Sequence, residues 1–419
     1  MNVSDKLRAQ RAKTEYIDGT VFVSVLILSA LGVLMVFSIT GTSIFNNQAG
    51  DRLSYMMHSF TGVILGIIGM GIMTIIPNKW YRKQVTFLVF LLTAVIFVIT
   101  PLFGRDTLAS PGVRRWLSIG PIVFQAVDLA RIGFVISLAW LVNLLVEKRL
   151  YYSRKLWSSY LLPLLYVSIS AFTVLRQPDL GSALVIFGMG IIVFLSSGLA
   201  VKQIIVLLMI ALGLVGAVAV FGVYALDLQH YQLTRINAWL DPFNHEFGLQ
   251  SVMGFVSIAL GGWFGVGLGN STQALGFAIE PHTDLIVTIL AEELGFVTVL
   301  FVMVLYFTIA VKCFLTSLRS RDVFSALVCI GIGSFFLLQP LVNLGGASGI
   351  IPLSGVTLPL ISYGMTSKIS TFIMIGIYFN MRRYILFTEA MAVHADEKTQ
   401  EEKEQILKEK VVQFPNVTN

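Results

Sequence analysis

Charge is what this sequence has least of. Only 12% of its 419 residues are Asp, Glu, Lys or Arg, whereas 56% are hydrophobic, and an ordinary soluble chain carries roughly 25% charged residues. Mean hydropathy is +0.82. A water-soluble globular protein is thereby excluded, and a polytopic membrane protein is indicated. Cysteine is nearly missing too. Cys313 and Cys329 lie in or beside apolar runs on either side of one short loop, which excludes a disulfide framework and a cysteine-built metal site and leaves them as small buried hydrophobes. The charge that is present leans basic, 29 Lys and Arg against 23 Asp and Glu. Nucleic acid is not needed to explain that excess, because basic residues confined to one side of a membrane produce it equally well. Neither an internal sequence repeat nor metal-ligand spacing is visible.

What is abundant is uncharged sequence in runs near the roughly 20 residues that cross a hydrocarbon layer as helix. About ten such runs emerge, which predicts an all-α membrane fold. They lie near 20–40, 58–77, 84–104, 128–147, 157–175, 180–197, 202–226, 284–313, 322–345 and 356–381. The first follows a polar stretch of 19 residues and lacks a cleavage site, so it reads as a span rather than a signal peptide. Lys and Arg fall mainly in the amino-terminal segment and in the loops after alternate spans, which places residues 1–19 and the polar tail 386–419 in the cytoplasm. The opposite side holds Arg52, Arg105, Arg114, Arg115, Arg176 and Arg235, cations that the orientation rule leaves unexplained. Two outer segments, 105–127 and 227–283, are too long to be mere connectors. The second, which precedes the eighth helix, contains a mildly amphipathic stretch, Gly248–Gly269, suited to the membrane interface. The tail reads as solvated helix or disorder with Glu/Lys pairs at helical spacing.

A charge near the bilayer centre costs roughly 2.5–3.5 kcal/mol, so each one marks either a function or a partner. Four groups qualify. In GVRRWLSIGPIVFQAVDLAR, residues 112–131, Asp128 and Arg131 stand three apart on one helical face and can neutralise each other; a ligand contact is the alternative. Trp116 beside Arg115 suits an interfacial anchor as well as a substrate contact. In RQPDLG, residues 176–181, Asp179 can cap the helix beginning near Leu180, which leaves Arg176 without a role. In EPHTD, residues 280–284, Asp284 stands beside His282 where the long loop meets the membrane. Desolvation there would suit it to general-base work, while an N-cap by Thr283 or Asp284 is the bland reading. Glu292 and Glu293 lie two turns deeper, where at least one should be protonated or paired with a cation. In GIIPLSGVTLPLISYGMTSK, residues 349–368, a Gly- and Pro-rich loop leads to Lys368. A broken segment of this kind lines a cavity. Lys368 needs a carboxylate, with Glu292 and Glu293 foremost and Asp128 and Asp179 as further candidates.

Two motifs are set aside. GGWFGVGLG, residues 261–269, lacks the Lys-Ser/Thr of a phosphate loop. The glycosylation acceptor patterns at Asn2, Asn270 and Asn416 matter only in a eukaryotic secretory pathway.

In this order and at these depths, RRWLSIG, RQPDLGSAL, RINAWLDPF, GGWFGVGLGNSTQ, EPHTDLIVTILAEELG and IIPLSGVTLPLISYG resemble the SEDS family of bacterial peptidoglycan polymerases (FtsW, RodA, SpoVE) over about residues 20–385. The resemblance implies ten spans in the plasma membrane with both ends cytoplasmic. It also implies polymerisation of lipid II, the undecaprenyl-pyrophosphate-linked disaccharide-pentapeptide. The implied partners are a class B penicillin-binding protein, the transpeptidase, and other divisome or elongasome proteins. It makes Asp284 the essential carboxylate and Trp116 a further functional position. The family's QPSExxK reads QAVDLAR here: Gln125 is kept, and the charge pair appears as Asp128 and Arg131. The usual SYGGSS reads SYGMTS, which puts Met365 where glycine permits a close backbone approach. RRW together with GVTLP leans toward the division branch.

Glycan polymerisation needs a base for the acceptor hydroxyl and positive charge for the departing pyrophosphate. Asp284 is the expected base, and Arg114, Arg115, Arg176 and Arg235 are the expected cations. A divalent ion sharing the task is left open. A flippase or secondary transporter for the same lipid is the main rival, and a non-catalytic scaffold of the cell-wall machinery is the third reading.

Overall fold

The computed structural model describes residues 16–42, 49–81, 84–104, 114–119, 122–147, 156–197, 229–245, 248–272 and 283–413, with Ile205, Val206, Met209 and Gly213. All but those four residues of the expected span near 202–226, and His282, lie outside the described residues. In lipid every backbone polar group must be satisfied within the protein, and the apolar runs answer as helices. They are α1 (Gly19–Thr42), α2 (Ala49–Ile75), α3 (Gln84–Phe103), α4 (Ala126–Glu147), α5 (Leu156–Leu175) and α6 (Leu180–Leu195). The outer segment holds α7 (Gln229–Leu240) and α8 (Leu249–Gly261), followed by α9 (Ile286–Leu318), α10 (Val323–Ala347) and α11 (Met365–Gln413). Six of these, α1 to α4, α9 and α10, are long and apolar enough to cross a membrane, and shorter apolar helices cover Leu161–Leu175, Leu180–Leu195 and Leu249–Gly261.

Two expectations need correction. The fold is not purely helical, because β1 (Trp116–Ile119) and β2 (Ile122–Gln125) form an antiparallel hairpin in register Trp116↔Gln125 and Leu117↔Phe124. The last helix starts at Met365, not near 356. Pro352 and Pro359 cannot continue a helix, and Gly349, Gly355, Leu360 and Gly364 all take positive φ.

Burial separates an inner from an outer layer. In α4 and α10, 67% and 72% of the apolar window is buried, against 22% in both α2 and α3, so α4 and α10 are the core around which the site is built. A seam of small residues closes α2 onto α11. A Cβ on Gly66 would lie 2.3 Å from the Phe372 ring, and one on Gly376 would lie 2.4 Å from the Met70 carbonyl oxygen. Gly62 on α2 faces Met365, its missing Cβ being 3.2 Å from Met365 Cα. Asn380 Nδ2 then donates to the carbonyls of Met73, Thr74 and Ile76, satisfying the end of α2.

Candidate active site

The hairpin exists to deliver Arg115. The N–H of Ala126 donates to the Arg115 carbonyl at 3.2 Å, so β1 is tied to the first turn of α4. The Arg115 side chain crosses to the turn before α6, where Nε donates to the Gln177 carbonyl at 3.2 Å and Nη2 donates to that of Pro178. Nε also stands 3.9 Å from Asp179 Oδ2. Asp179 Oδ1 meanwhile accepts from the N–H of Ser182 at 3.0 Å and caps α6. One level deeper, Arg131 Nη1 meets Asp128 Oδ1 at 3.2 Å, and its Nη2 donates to Ser182 Oγ at 2.8 Å. A polar chain thus runs from the buried α4 pair through α6 to Arg115. Asp128 Oδ2 and Arg131 Nε are buried without a hydrogen-bond partner among the described residues.

Asp284 approaches from the other side. The N-cap position of α9 is taken by Leu285, whose apolar side chain makes no cap bond, and Asp284 precedes it. Its main chain is fixed by α10: Asn343 Nδ2 donates to the Asp284 carbonyl at 3.0 Å and to that of Val356 at 2.6 Å. Ser362 Oγ donates to the Thr283 carbonyl at 2.7 Å and accepts from the N–H of Leu358 at 2.7 Å. These bonds pin the non-helical segment 349–364 beside Asp284. Arg235 and Trp239 of α7 pin it from outside, Arg235 Nη1 to the Leu353 carbonyl at 2.7 Å and Trp239 Nε1 to that of Gly349 at 2.8 Å. The three groups converge over Gly355. A Cβ there would lie 3.1 Å from Arg115 Nη1, 3.3 Å from Asp284 Oδ2 and 3.7 Å from Arg235 Nη1.

The remaining candidates are dispersed. Arg114 Nη1 donates to the Leu102 carbonyl at the end of α3, at 3.2 Å. Arg176 is exposed and, among the described residues, its side chain has no partner. Trp116 and Gln125 are half-buried and face each other across the hairpin. The sequence leaves protonation or a cation partner for the paired glutamates; no cation stands beside them among the described residues, and neutral donors do instead. Glu292 accepts from Ser271 Oγ, Thr272 Oγ1 and the Thr272 N–H at 2.7–2.8 Å. Glu293 accepts from Ser38 Oγ and from backbone N–H groups of Gly269 and Ser271. Lys368 accordingly pairs with neither. It is fully buried, its Nζ donates to Ser59 Oγ on α2, and among the described residues it has no carboxylate partner. Among the described residues, no group of three His, Cys, Asp or Glu side chains is placed to hold a metal.

Residues 19–385 match the family model described as cell cycle protein, FtsW/RodA/SpoVE. The chain belongs to this family. It is 32% identical over 376 residues to the probable peptidoglycan glycosyltransferase FtsW of Hahella chejuensis, covering 88% of this chain and 91% of that one. The FtsW of Bacillus subtilis, bearing the same description, is 30% identical, with 89% and 92% covered. A chain solved in a study of polymerization and crosslinking by a peptidoglycan synthase complex superposes with TM-score 0.68 at 25% identity, covering 86% and 97%. The Thermus thermophilus rod shape determining protein RodA superposes at 0.61 with 23% identity, covering 87% and 96%, and shows the shared fold.

Asn343, Gln339, Ser362 and Gly355 were not singled out from sequence. Gln339 and Asn343 carried a signal, two amides at i, i+4 on an apolar helix, and Gln339 Nε2 indeed donates to the Thr357 carbonyl at 2.8 Å. Ser362 and Gly355 sit in a Gly- and Pro-rich run whose path no periodicity describes.

Proposed function

We propose that this chain is a peptidoglycan glycosyltransferase that polymerises lipid II, with Asp284 as the general base. The observation that carries the reading is the convergence of the Asp284 carboxylate with the Arg115 and Arg235 guanidinium groups over Gly355. In the proposed step Asp284 takes the proton of the acceptor sugar hydroxyl, whose oxygen attacks C1 of the donor. The bond from C1 to the pyrophosphate oxygen breaks, and its electron pair leaves with the pyrophosphate. Arg115 and Arg235 stabilise that anion. Arg114 and Arg176 are assigned to the approach of the anionic headgroup rather than to the reacting atoms. The names of the relatives support the activity. The enzyme would act in the bacterial plasma membrane with both termini cytoplasmic, beside a class B penicillin-binding transpeptidase, and the division branch is preferred.

The test is purified protein with its transpeptidase and lipid II in detergent, without an ion gradient. Long glycan from the wild type supports the enzyme, whereas transbilayer movement of lipid II without polymer identifies the carrier. Asp284→Asn should keep its melting temperature and bind lipid II, yet lose at least about 10²-fold in polymerisation rate. A near-normal rate would remove Asp284 as the base.

A further inference from the structure

We propose that Asn343 is a positioning residue for polymerisation, whose single amide group fixes the turn that carries Asp284 against the segment to which Arg235 is bonded. The inference rests on the polymerase reading above. Asn343 is buried in α10, and its Nδ2 donates to two carbonyls, that of Asp284 at 3.0 Å and that of Val356 at 2.6 Å. These acceptors belong to different stretches of chain, 59 positions before Asn343 and 13 after it. An amide nitrogen carries two N–H bonds at a fixed angle in one plane, so it can hold two acceptors at one separation, which a hydroxyl with its single proton cannot do. Neither bond belongs to α10, and among the described residues Asn343 Oδ1 has no hydrogen-bond partner. The polar contacts of this side chain are thus spent on joining the two stretches. Asp284 is the one that needs them. Its carbonyl stands outside the α9 ladder, because the Thr288 N–H, which a longer helix would give to Asp284, donates to the Leu285 carbonyl at 3.0 Å. Three residues before Val356, the Leu353 carbonyl holds Arg235 Nη1 at 2.7 Å. One amide therefore sets where the base stands relative to a cation assigned to the departing pyrophosphate.

The same helix carries an internal control. Gln339 lies one turn before Asn343 on the same face and is buried too, and its Nε2 donates to the Thr357 carbonyl at 2.8 Å. Both amides hold the segment 349–364, but of the two Asn343 alone also holds Asp284. A purely structural role, the plainer account, treats them alike: losing either loosens the segment, and stability and rate fall together. A positioning role separates them, because the loss of Asn343 releases the base, and a displacement of about 1 Å at a reacting group costs about 10²-fold in rate. Ser362 Oγ keeps the neighbouring Thr283 carbonyl at 2.7 Å, so the turn stays attached without Asn343 while the Asp284 peptide is free to tilt.

The experiment measures kcat and KM for lipid II polymerisation, lipid II binding and melting temperature for Asn343→Leu and Gln339→Met beside the wild type and Asp284→Asn. Both substitutions keep side-chain size and remove the amide. Positioning predicts that kcat falls about 10²-fold in Asn343→Leu and less than about 3-fold in Gln339→Met, with KM and lipid II binding within a few-fold of wild type and both variants folded at the assay temperature. Equal kcat in the two variants, or a loss in Asn343→Leu that is confined to KM, overturns the positioning role and leaves the polymerase reading standing. An inactive wild type, or an active Asp284→Asn, overturns the polymerase reading and the positioning role with it. Should either variant not accumulate in membranes, Asn343→Ser and Gln339→Ser replace the pair, and the same comparison of kcat decides.

Discussion

At Lys368 an ammonium lies fully buried against one hydroxyl, that of Ser59. Removing the ammonium therefore strands no carboxylate and leaves one neutral hydroxyl, whose desolvation costs far less than that of a buried charge. Lys368→Met should hold or raise the melting temperature in detergent. Ser59→Ala should lower stability by about 1–3 kcal/mol, because it leaves the ammonium alone. The double variant should resemble Lys368→Met, a non-additive outcome that identifies the contact; a loss of about 3 kcal/mol in Lys368→Met would instead reveal a carboxylate. What could be read in the sequence at this scale was whatever lies within one helical turn. The i, i+3 pair of Asp128 and Arg131 and the cap at Asp179 are local. Ser59 to Lys368 spans 309 positions and Ser38 to Glu293 spans 255, and no spacing rule joins residues so far apart. Lys368 was legible as a buried charge because its neighbours are apolar, whereas its partner was not.

Among elements, α9 is the one that is spliced. Its ladder breaks at Gly295, with φ 80° and ψ 170°, and the Gly-rich segment after α8 supplies the missing partners. The N–H groups of Val266 and Gly267 donate to the carbonyls of Glu292 and Glu293, and those of Phe296 and Val297 donate to the carbonyls of Gly262 and Trp263. The approach is possible only between glycines: a Cβ on Gly265 would be 2.2 Å from the Glu293 carbonyl oxygen, and one on Gly295 would be 2.4 Å from that of Trp263. Gly265→Ala should accordingly cost at least about 2 kcal/mol from clash and strain together. Gly269→Ala, also at positive φ but with nothing within 4 Å, should cost about 1 kcal/mol. Equal melting temperatures for the two variants would refute the splice. The glycines that look like a phosphate cradle are thus a backbone joint. Long apolar runs gave the helices away in advance, but the hairpin at 116–125 did not announce itself, since its strands have only four residues each and sit in a loop with little period to read.

For the whole molecule, the end of the bundle away from Asp284 is stapled at Asp18. Its Oδ1 accepts from the Thr20 N–H at 3.1 Å to start α1, and its Oδ2 stands 3.5 Å from Lys312 Nζ on α9 and 3.7 Å from Arg382 Nη2 on α11. Asp18→Asn keeps a good cap and should cost under about 1 kcal/mol. Asp18→Ala loses cap and charge together and should cost about 1–2 kcal/mol, read as a lower melting temperature. Equal losses for the two would assign the whole effect to the ion pairs.

The helix that Arg382 anchors does not stop there. From Met365 to Gln413 it runs 49 residues without a break, which at about 1.5 Å per residue is roughly 70 Å, more than twice the thickness of a hydrocarbon core of about 30 Å. Asp18 grips it at Arg382 as a fulcrum, leaving an arm of some thirty residues, about 45 Å long, beyond. A sideways push near Gln413 is a small force with large leverage. The torque it exerts is delivered to the glycine seam against α2 and, at the helix's other end, to the segment that carries Gly355.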